Sequence, residues 1–205
     1  MLDAADCSRP LRYTPPMDHL WTPWRYAYIT DTDVTMRKGV PQELATWPGD
    51  LGCVFCNMIA AADYAIAHGM PVDEAECLAG IVLRAERAFI CLNRYPYTSG
   101  HIMVVPYHHQ ASLASLDLAI AHELMDLTQR SEQALNLVYA PDGINIGLNL
   151  GRAAGAGVAD HLHLHALPRW FGDTNSMTVI SETRVLPEAL STTWCRLREA
   201  FAALA

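Results

Sequence analysis

His161-Leu162-His163-Leu164-His165 alternates imidazole and leucine without a break, and no other stretch of the chain narrows its fold as far. Alternation with period two is the mark of a strand, and it sets His161, His163 and His165 on one face with Leu162 and Leu164 on the other. A neutral imidazole keeps one donor and one acceptor that both need partners, so three on one face make poor core material. The leucine face is expected to pack on a core and the histidine face to line a polar site; a surface triplet with no role is the competing reading. Gly151, Ala153, Ala154, Gly155, Ala156, Gly157 and Ala159 form the loop that leads into this strand. Residues this small let backbone N–H groups come close to an anion. A neutral imidazole is also a good nucleophile toward phosphorus near neutral pH. One nitrogen attacks while the proton on the other is held by an acceptor, so that one displacement becomes two with a covalent intermediate between them.

The rest of the chain supplies partners for that strand. Ile81–Arg84 and Ala88–Leu92 read as two short strands with Glu86-Arg87 between them, and His101–Pro106 as a third that pairs with the second in a hairpin-like unit. Ile144–Leu150 alternates apolar positions with polar or glycine ones and reads as a further strand. Between them, apolar residues at Leu118, Ala121, Leu124, Met125, Leu127, Ala134, Leu135 and Val138 recur at helical spacing, with Pro141-Asp142-Gly143 as the stop. Asn57 to about His68 is Ala-rich and helical. Strands interrupted by one long helix, rather than alternating with helices, predict an α+β domain with a mostly antiparallel sheet. Residues 1–19, with Pro10, Pro15 and Pro16, read as a mobile arm. Trp21, Trp24, Tyr26 and Tyr28 crowd the next ten positions, either as a lid on the core or as a segment whose Trp or Arg25 reaches a ligand. Residues 30–50 read as a polar connector.

Charge and cysteine usage exclude some functions. Lys+Arg 14 against Asp+Glu 22 leaves a net charge of −8, so no general basic field is present to hold nucleic acid. No apolar run approaches the roughly 20 residues of a spanning helix, so no membrane partner is expected. Met1–Asp6 lacks a basic region followed by an apolar stretch, which points to a cytoplasmic protein. Thiols stay reduced there, so Cys7, Cys77, Cys91 and Cys195 read as isolated thiols. Cys53-Val54-Phe55-Cys56 is different: it could be a redox pair, but no thioredoxin-like βαβ pattern follows, which favours metal. Zinc takes four N or S ligands, and His108-His109 together with the histidine strand could supply two.

His161-Leu-His163-Leu-His165-Ala-Leu-Pro168-Arg169-Trp170 resembles the signature of the histidine triad family of nucleotide hydrolases and transferases. Asn93-Arg-Tyr-Pro-Tyr-Thr-Ser-Gly100-His101 is similar to the strand-turn-strand segment of that family. The likeness runs from about Leu20 to Leu190. Its outer segments, Trp21–Arg25, Gly172–Asn175 and Glu182–Pro187, resemble the bacterial branch that contains diadenosine tetraphosphate phosphorylases, near the fragile histidine triad branch. The resemblance implies a five-stranded antiparallel sheet with one long and one shorter helix, usually assembled as a homodimer. The domain would span 20–190 with a zinc-binding segment at its start and a helical extension over 191–205.

The resemblance also implies roles. His163 would be the nucleophile, His165 would orient it or assist the leaving group, and His101 would be a further active-site histidine. Asn93 would approach the ribose, Asn149 the phosphates, and Gly155, Ala156 and Gly157 the phosphate loop; related sequences often carry a hydroxyl or amide in that loop, which this one lacks. Cys91 and Met103 would line the base pocket. Zinc-containing relatives imply a structural Zn2+ on Cys53, Cys56, His109 and His161, which would remove His161 from phosphate work. The activity implied is nucleotidyl transfer from a dinucleoside polyphosphate such as diadenosine tetraphosphate, with inorganic phosphate as acceptor in a phosphorolysis. Hydrolysis, or nucleotide binding without turnover, are the alternatives.

Overall fold

The computed structural model describes residues 37–173 and 188–204. The proposed arm, the aromatic stretch at 20–29, Asn175 and Glu182–Pro187 lie outside the described residues. Within them, α1 (Val54–Ala67) and α2 (Val72–Ala79) precede β1 (Ile81–Arg84), β2 (Ala88–Leu92) and β3 (Ile102–Pro106); α3 (Leu118–Tyr139), β4 (Gly143–Leu148), β5 (Leu164–Arg169) and α4 (Leu190–Ala203) follow. The strands form one antiparallel sheet in the order β1-β2-β3-β5-β4. No helix among the described residues is long and apolar enough to cross a membrane.

Every residue of β2 and β3 is buried, and the strand period explains how. Ala88, Ile90, Leu92, Ile102 and Val104 face a core shared with α3 and α4, while Phe89, Cys91, Met103 and Val105 face a second core under α1 and α2. Leu162, Leu164 and Ala166 belong to the first core, as the alternation predicts. The ladder of β5 begins only at Leu164. His161 and His163 stand just ahead of it, where Leu162 donates its N–H to the Gln110 carbonyl beyond the end of β3 (2.7 Å).

The long helix has the ends its sequence predicts. Asp117 caps it by accepting from the Ala119 N–H at 2.8 Å. Leu124, Leu127, Thr128, Ser131, Ala134 and Leu135 form its buried stripe. The two hydroxyls in that stripe are satisfied inside the helix, Thr128 on the Leu124 carbonyl and Ser131 on the Leu127 carbonyl. α2 is an addition to the sequence-based expectation. It begins after Pro71 with Asp73 and Glu74 in its first turn, where carboxylates favour a helix N-terminus. Its buried Glu76 pairs with Arg84 of β1 at 2.7 Å and Arg198 of α4 at 2.9 Å, joining three elements by one carboxylate. The 30–50 connector is less polar in place than in sequence: Val40, Leu44 and Trp47 are buried in the second core. α4 packs into the first core through Trp194, Leu197, Ala200 and Phe201.

α3 ends with Ala140 in the left-handed region (φ 41°, ψ 54°), a conformation that costs any residue with a Cβ about 1 kcal/mol relative to glycine. Ala140→Gly is therefore expected to raise stability by about 0.5–1 kcal/mol, read as a higher midpoint in thermal unfolding; a lower midpoint contradicts the cap assignment.

Candidate active site

The sheet places the site through one transverse row. Cys91 pairs with Met103, Met103 with His165, and His165 with Gly147, so these side chains share the face opposite Leu164. Met103 is 7% exposed, whereas Cys91 is fully covered; any base wall that Cys91 contributes lies beneath the surface. Burial also pushes the Cys91 thiol pKa up. Asn149 is half-buried just past the end of β4, and Gly155, Ala156 and Gly157 close a short helical turn at Arg152–Ala154. The turn is capped by Gly155 at φ +88°, a conformation open to glycine.

Hydrogen bonds fix the protons on the histidines. Nδ1 of His163 lies 2.8 Å from the His161 carbonyl; a carbonyl only accepts, so Nδ1 carries the proton and Nε2 keeps a lone pair. Burial holds the His163 pKa below the ordinary imidazole value, which keeps the ring neutral. The N–H of Tyr97 donates to Nδ1 of His101 at 3.2 Å, so His101 carries its proton on Nε2. That proton faces Nδ1 of His165 at 2.9 Å, leaving the proton of a neutral His165 on Nε2. Gly100 enables the turn that sets His101: its φ is +79°, and a Cβ there would lie 2.6 Å from the Tyr139 ring. Asn93 shares that turn. Its N–H donates to the His101 carbonyl, its side-chain oxygen accepts from the Tyr95 N–H at 2.9 Å, and its amide nitrogen stands 3.5 Å from His101 Nε2.

The ligating atoms of Cys53, Cys56, His109 and His161 all lie within 4.8 Å of one another. His161 donates Nε2–H to the Pro106 carbonyl at 2.9 Å, so its Nδ1 lone pair faces the sulfurs, at 3.3 Å from Cys53 and 3.6 Å from Cys56. His109 Nδ1 is 3.2 Å from His161 Nδ1 and 3.5 Å from the Cys56 sulfur. Zinc bonds of about 2.3 Å to sulfur and about 2.0–2.1 Å to nitrogen, at tetrahedral angles, would set neighbouring ligands about 3.4–3.8 Å apart. The donor set and its spacing fit such a cation. Burial, then the neighbouring Cys53, pushes the Cys56 thiol up to about 11, and burial pushes His161 down to about 4. Metal-free, Cys56 is thus held as a neutral thiol and His161 as a neutral imidazole; a cation reverses the thiol preference. His108, adjacent to His109 in sequence, is not part of the group.

Several contributors are backbone atoms, the carbonyls of His161 and Pro106 and the N–H of Tyr97, and no residue type announces them. Phe55 belongs to the site as well, packed against His161 and His163, and its one signal in the sequence is an aromatic residue inside a CxxC.

A five-stranded antiparallel sheet with alternating histidines leading into an inner strand, faced by a fourth histidine from the neighbouring hairpin, defines a histidine-triad protein. Residues 74–172 match the HIT domain, and the chain belongs to the HIT family. It is 35% identical over 177 residues to an AP-4-A phosphorylase of Mycobacterium tuberculosis, covering 86% of this chain and 80% of that protein. Among solved structures it is similar to a Zn-bound histidine triad family protein from Mycobacterium smegmatis, with 28% identity, a TM-score of 0.54 and coverage of 76% of this chain and 97% of that one. It is also similar to a hypothetical histidine triad nucleotide-binding protein from Sulfolobus tokodaii, with 25% identity, a TM-score of 0.55 and coverage of 74% and 93%.

The four-ligand geometry makes a spectroscopic prediction. Titrated with Co2+, the purified chain is expected to develop the intense visible bands of a tetrahedral thiolate site, and Cys56→Ala to abolish them. A weak octahedral spectrum contradicts the arrangement.

Proposed function

We propose that this protein transfers a nucleotidyl group through a covalent intermediate on His163, and that it phosphorolyses diadenosine tetraphosphate to ADP and ATP. The observation that carries this reading is the proton placement at His163, a buried neutral ring whose Nδ1–H is held by the His161 carbonyl and whose Nε2 therefore keeps the lone pair. The 35% identity to an AP-4-A phosphorylase over most of both chains supports the choice of substrate.

In the first step Nε2 of His163 attacks the α-phosphorus, forming an N–P bond while the bond to the bridging oxygen breaks. The oxygen leaves with its electron pair as ATP. The positive charge that develops on the imidazole is stabilised through Nδ1–H by the His161 carbonyl. The Nε2 proton of His165, placed there by His101, is available to the leaving oxygen. In the second step an oxygen of inorganic phosphate attacks the same phosphorus, the P–N bond breaks, and ADP leaves with His163 restored. Asn93 approaches the ribose, Asn149 and the backbone of Gly155, Ala156 and Gly157 hold the phosphates, and Met103, with Cys91 beneath it, forms the wall of the base pocket.

Zn2+ on Cys53, Cys56, His109 and His161 serves as a structural cross-link that holds the segment before α1 to the end of β3 and the start of β5. A two-fold homodimer is supported by the apolar surface of Met125 and Leu137 on α3 and Ile146 on edge strand β4, each exposed. A cytoplasmic location suits the reduced thiols that the metal site needs.

Incubation with diadenosine tetraphosphate, with and without inorganic phosphate, is expected to give ADP plus ATP only when phosphate is present. His163→Ala should lower turnover by about a thousandfold or more while the nucleotide still binds. AMP plus ATP regardless of phosphate would make the protein a hydrolase, and equal inactivity of both proteins with nucleotide still bound would make it a binding protein.

A further inference from the structure

Phe55 stands between the two halves of the site. It sits inside Cys53-Val54-Phe55-Cys56, at the start of α1, and is 2% exposed. Its ring meets His161 edge-on, with centroids 5.3 Å apart and planes at 72°, and meets His163 at 5.1 Å and 48°. The His161 ring belongs to the Cys53, Cys56, His109 cluster, while its backbone carbonyl accepts Nδ1–H of His163 at 2.8 Å. Two contacts therefore leave the cluster and end on one imidazole. The carbonyl holds a single edge atom of His163 and leaves the ring able to tilt about that hydrogen bond. A buried aromatic ring packed against the imidazole opposes the tilt. Both anchors are tied to the cluster: His161 supplies the carbonyl, and Phe55 lies in the chain between the two cysteines.

We infer that Phe55 is a positioning residue, which transmits the order of the Cys53, Cys56, His109 and His161 centre to the orientation and tautomer of His163. The inference rests on His163 being the nucleophile. A nucleophile displaced by about 1 Å can lose on the order of a hundredfold in rate, so a ring that rocks rather than stands still affects turnover more than binding.

The test compares the wild-type chain with Phe55→Leu, both loaded with zinc, by histidine-selective 15N NMR and by kinetics on diadenosine tetraphosphate with phosphate. In the wild type, His163 should give one Nδ1–H tautomer whose proton exchanges slowly with water. Phe55→Leu should keep its zinc and cooperative unfolding, yet show that proton exchanging rapidly or both tautomers populated. Its kcat should fall about tenfold, with KM within about twofold. Phe55→Met, read by the same signals, takes its place if the leucine variant loses metal or cooperative unfolding. An unchanged His163 signal in a zinc-loaded variant overturns the inference, whatever happens to kcat. The two claims fail separately: if wild type turns nothing over but the His163 signal still depends on Phe55, the catalytic reading falls and the positioning inference stands. Full activity with an indifferent His163 signal gives the reverse.

Discussion

A carbonyl oxygen can only accept, so the 2.8 Å contact between the His161 carbonyl and Nδ1 of His163 leaves one proton placement for a neutral ring. Everything attributed to His163 depends on that placement. Reversed, the proton would sit on Nε2, that nitrogen would have no lone pair to offer, and a buried carbonyl would lose its donor at a cost of about 1–3 kcal/mol. Burial adds a second constraint by disfavouring the charged ring. Two more histidines are ordered by backbone groups, His161 by the Pro106 carbonyl and His101 by the Tyr97 N–H. Backbone groups, whose chemistry does not vary with sequence, thus set the proton placement of His161, His163 and His101, and through His101 that of His165.

The sheet makes those contacts possible. With β2 and β3 buried on both faces, the inner strands are held between two cores and the row Cys91, Met103, His165 and Gly147 has a fixed register. A slip of one residue would turn the imidazoles into the core beneath α3 and bring the leucines to the site. The segment carrying Cys53 and Cys56 is tied down by side chains as well. Buried Asn57 accepts from the Leu51 N–H and donates to the Lys38 carbonyl and to Asp50, so the chain leading to the cluster is fastened to the start of α1.

Much of this was legible in the sequence because it rests on short periods. The alternation through His165 placed the leucines in a core, and the spacing from Leu118 to Val138 together with Pro141 delimited a helix observed at Leu118–Tyr139. The cluster of Cys53, Cys56, His109 and His161 came from a family resemblance, since spacing alone left His108 and His109 equivalent. Other features were not legible. α2 is only eight residues long, too short for a clear apolar stripe, although Pro71 and the carboxylates after it marked its start. Val40, Leu44 and Trp47 stand in a segment that reads as polar, and they are buried because they join the apolar core under α1 and α2. Contacts made by main-chain atoms or by an aromatic ring across the fold, such as that of Phe55 with His163, have no local sequence signature.

In the proposed reaction one imidazole nitrogen becomes covalently bound to phosphorus. That bond is tested most directly by rapid quenching of the enzyme with diadenosine tetraphosphate in the absence of phosphate, followed by peptide mapping at alkaline pH, where an N-phosphoryl bond survives. An acid-labile adenylyl adduct is expected on the peptide containing His163, formed at a rate at least equal to turnover. The adduct is also expected to discharge to ADP when phosphate is added. An adduct on another residue, or full turnover with no adduct at any time, would contradict the proposed reaction.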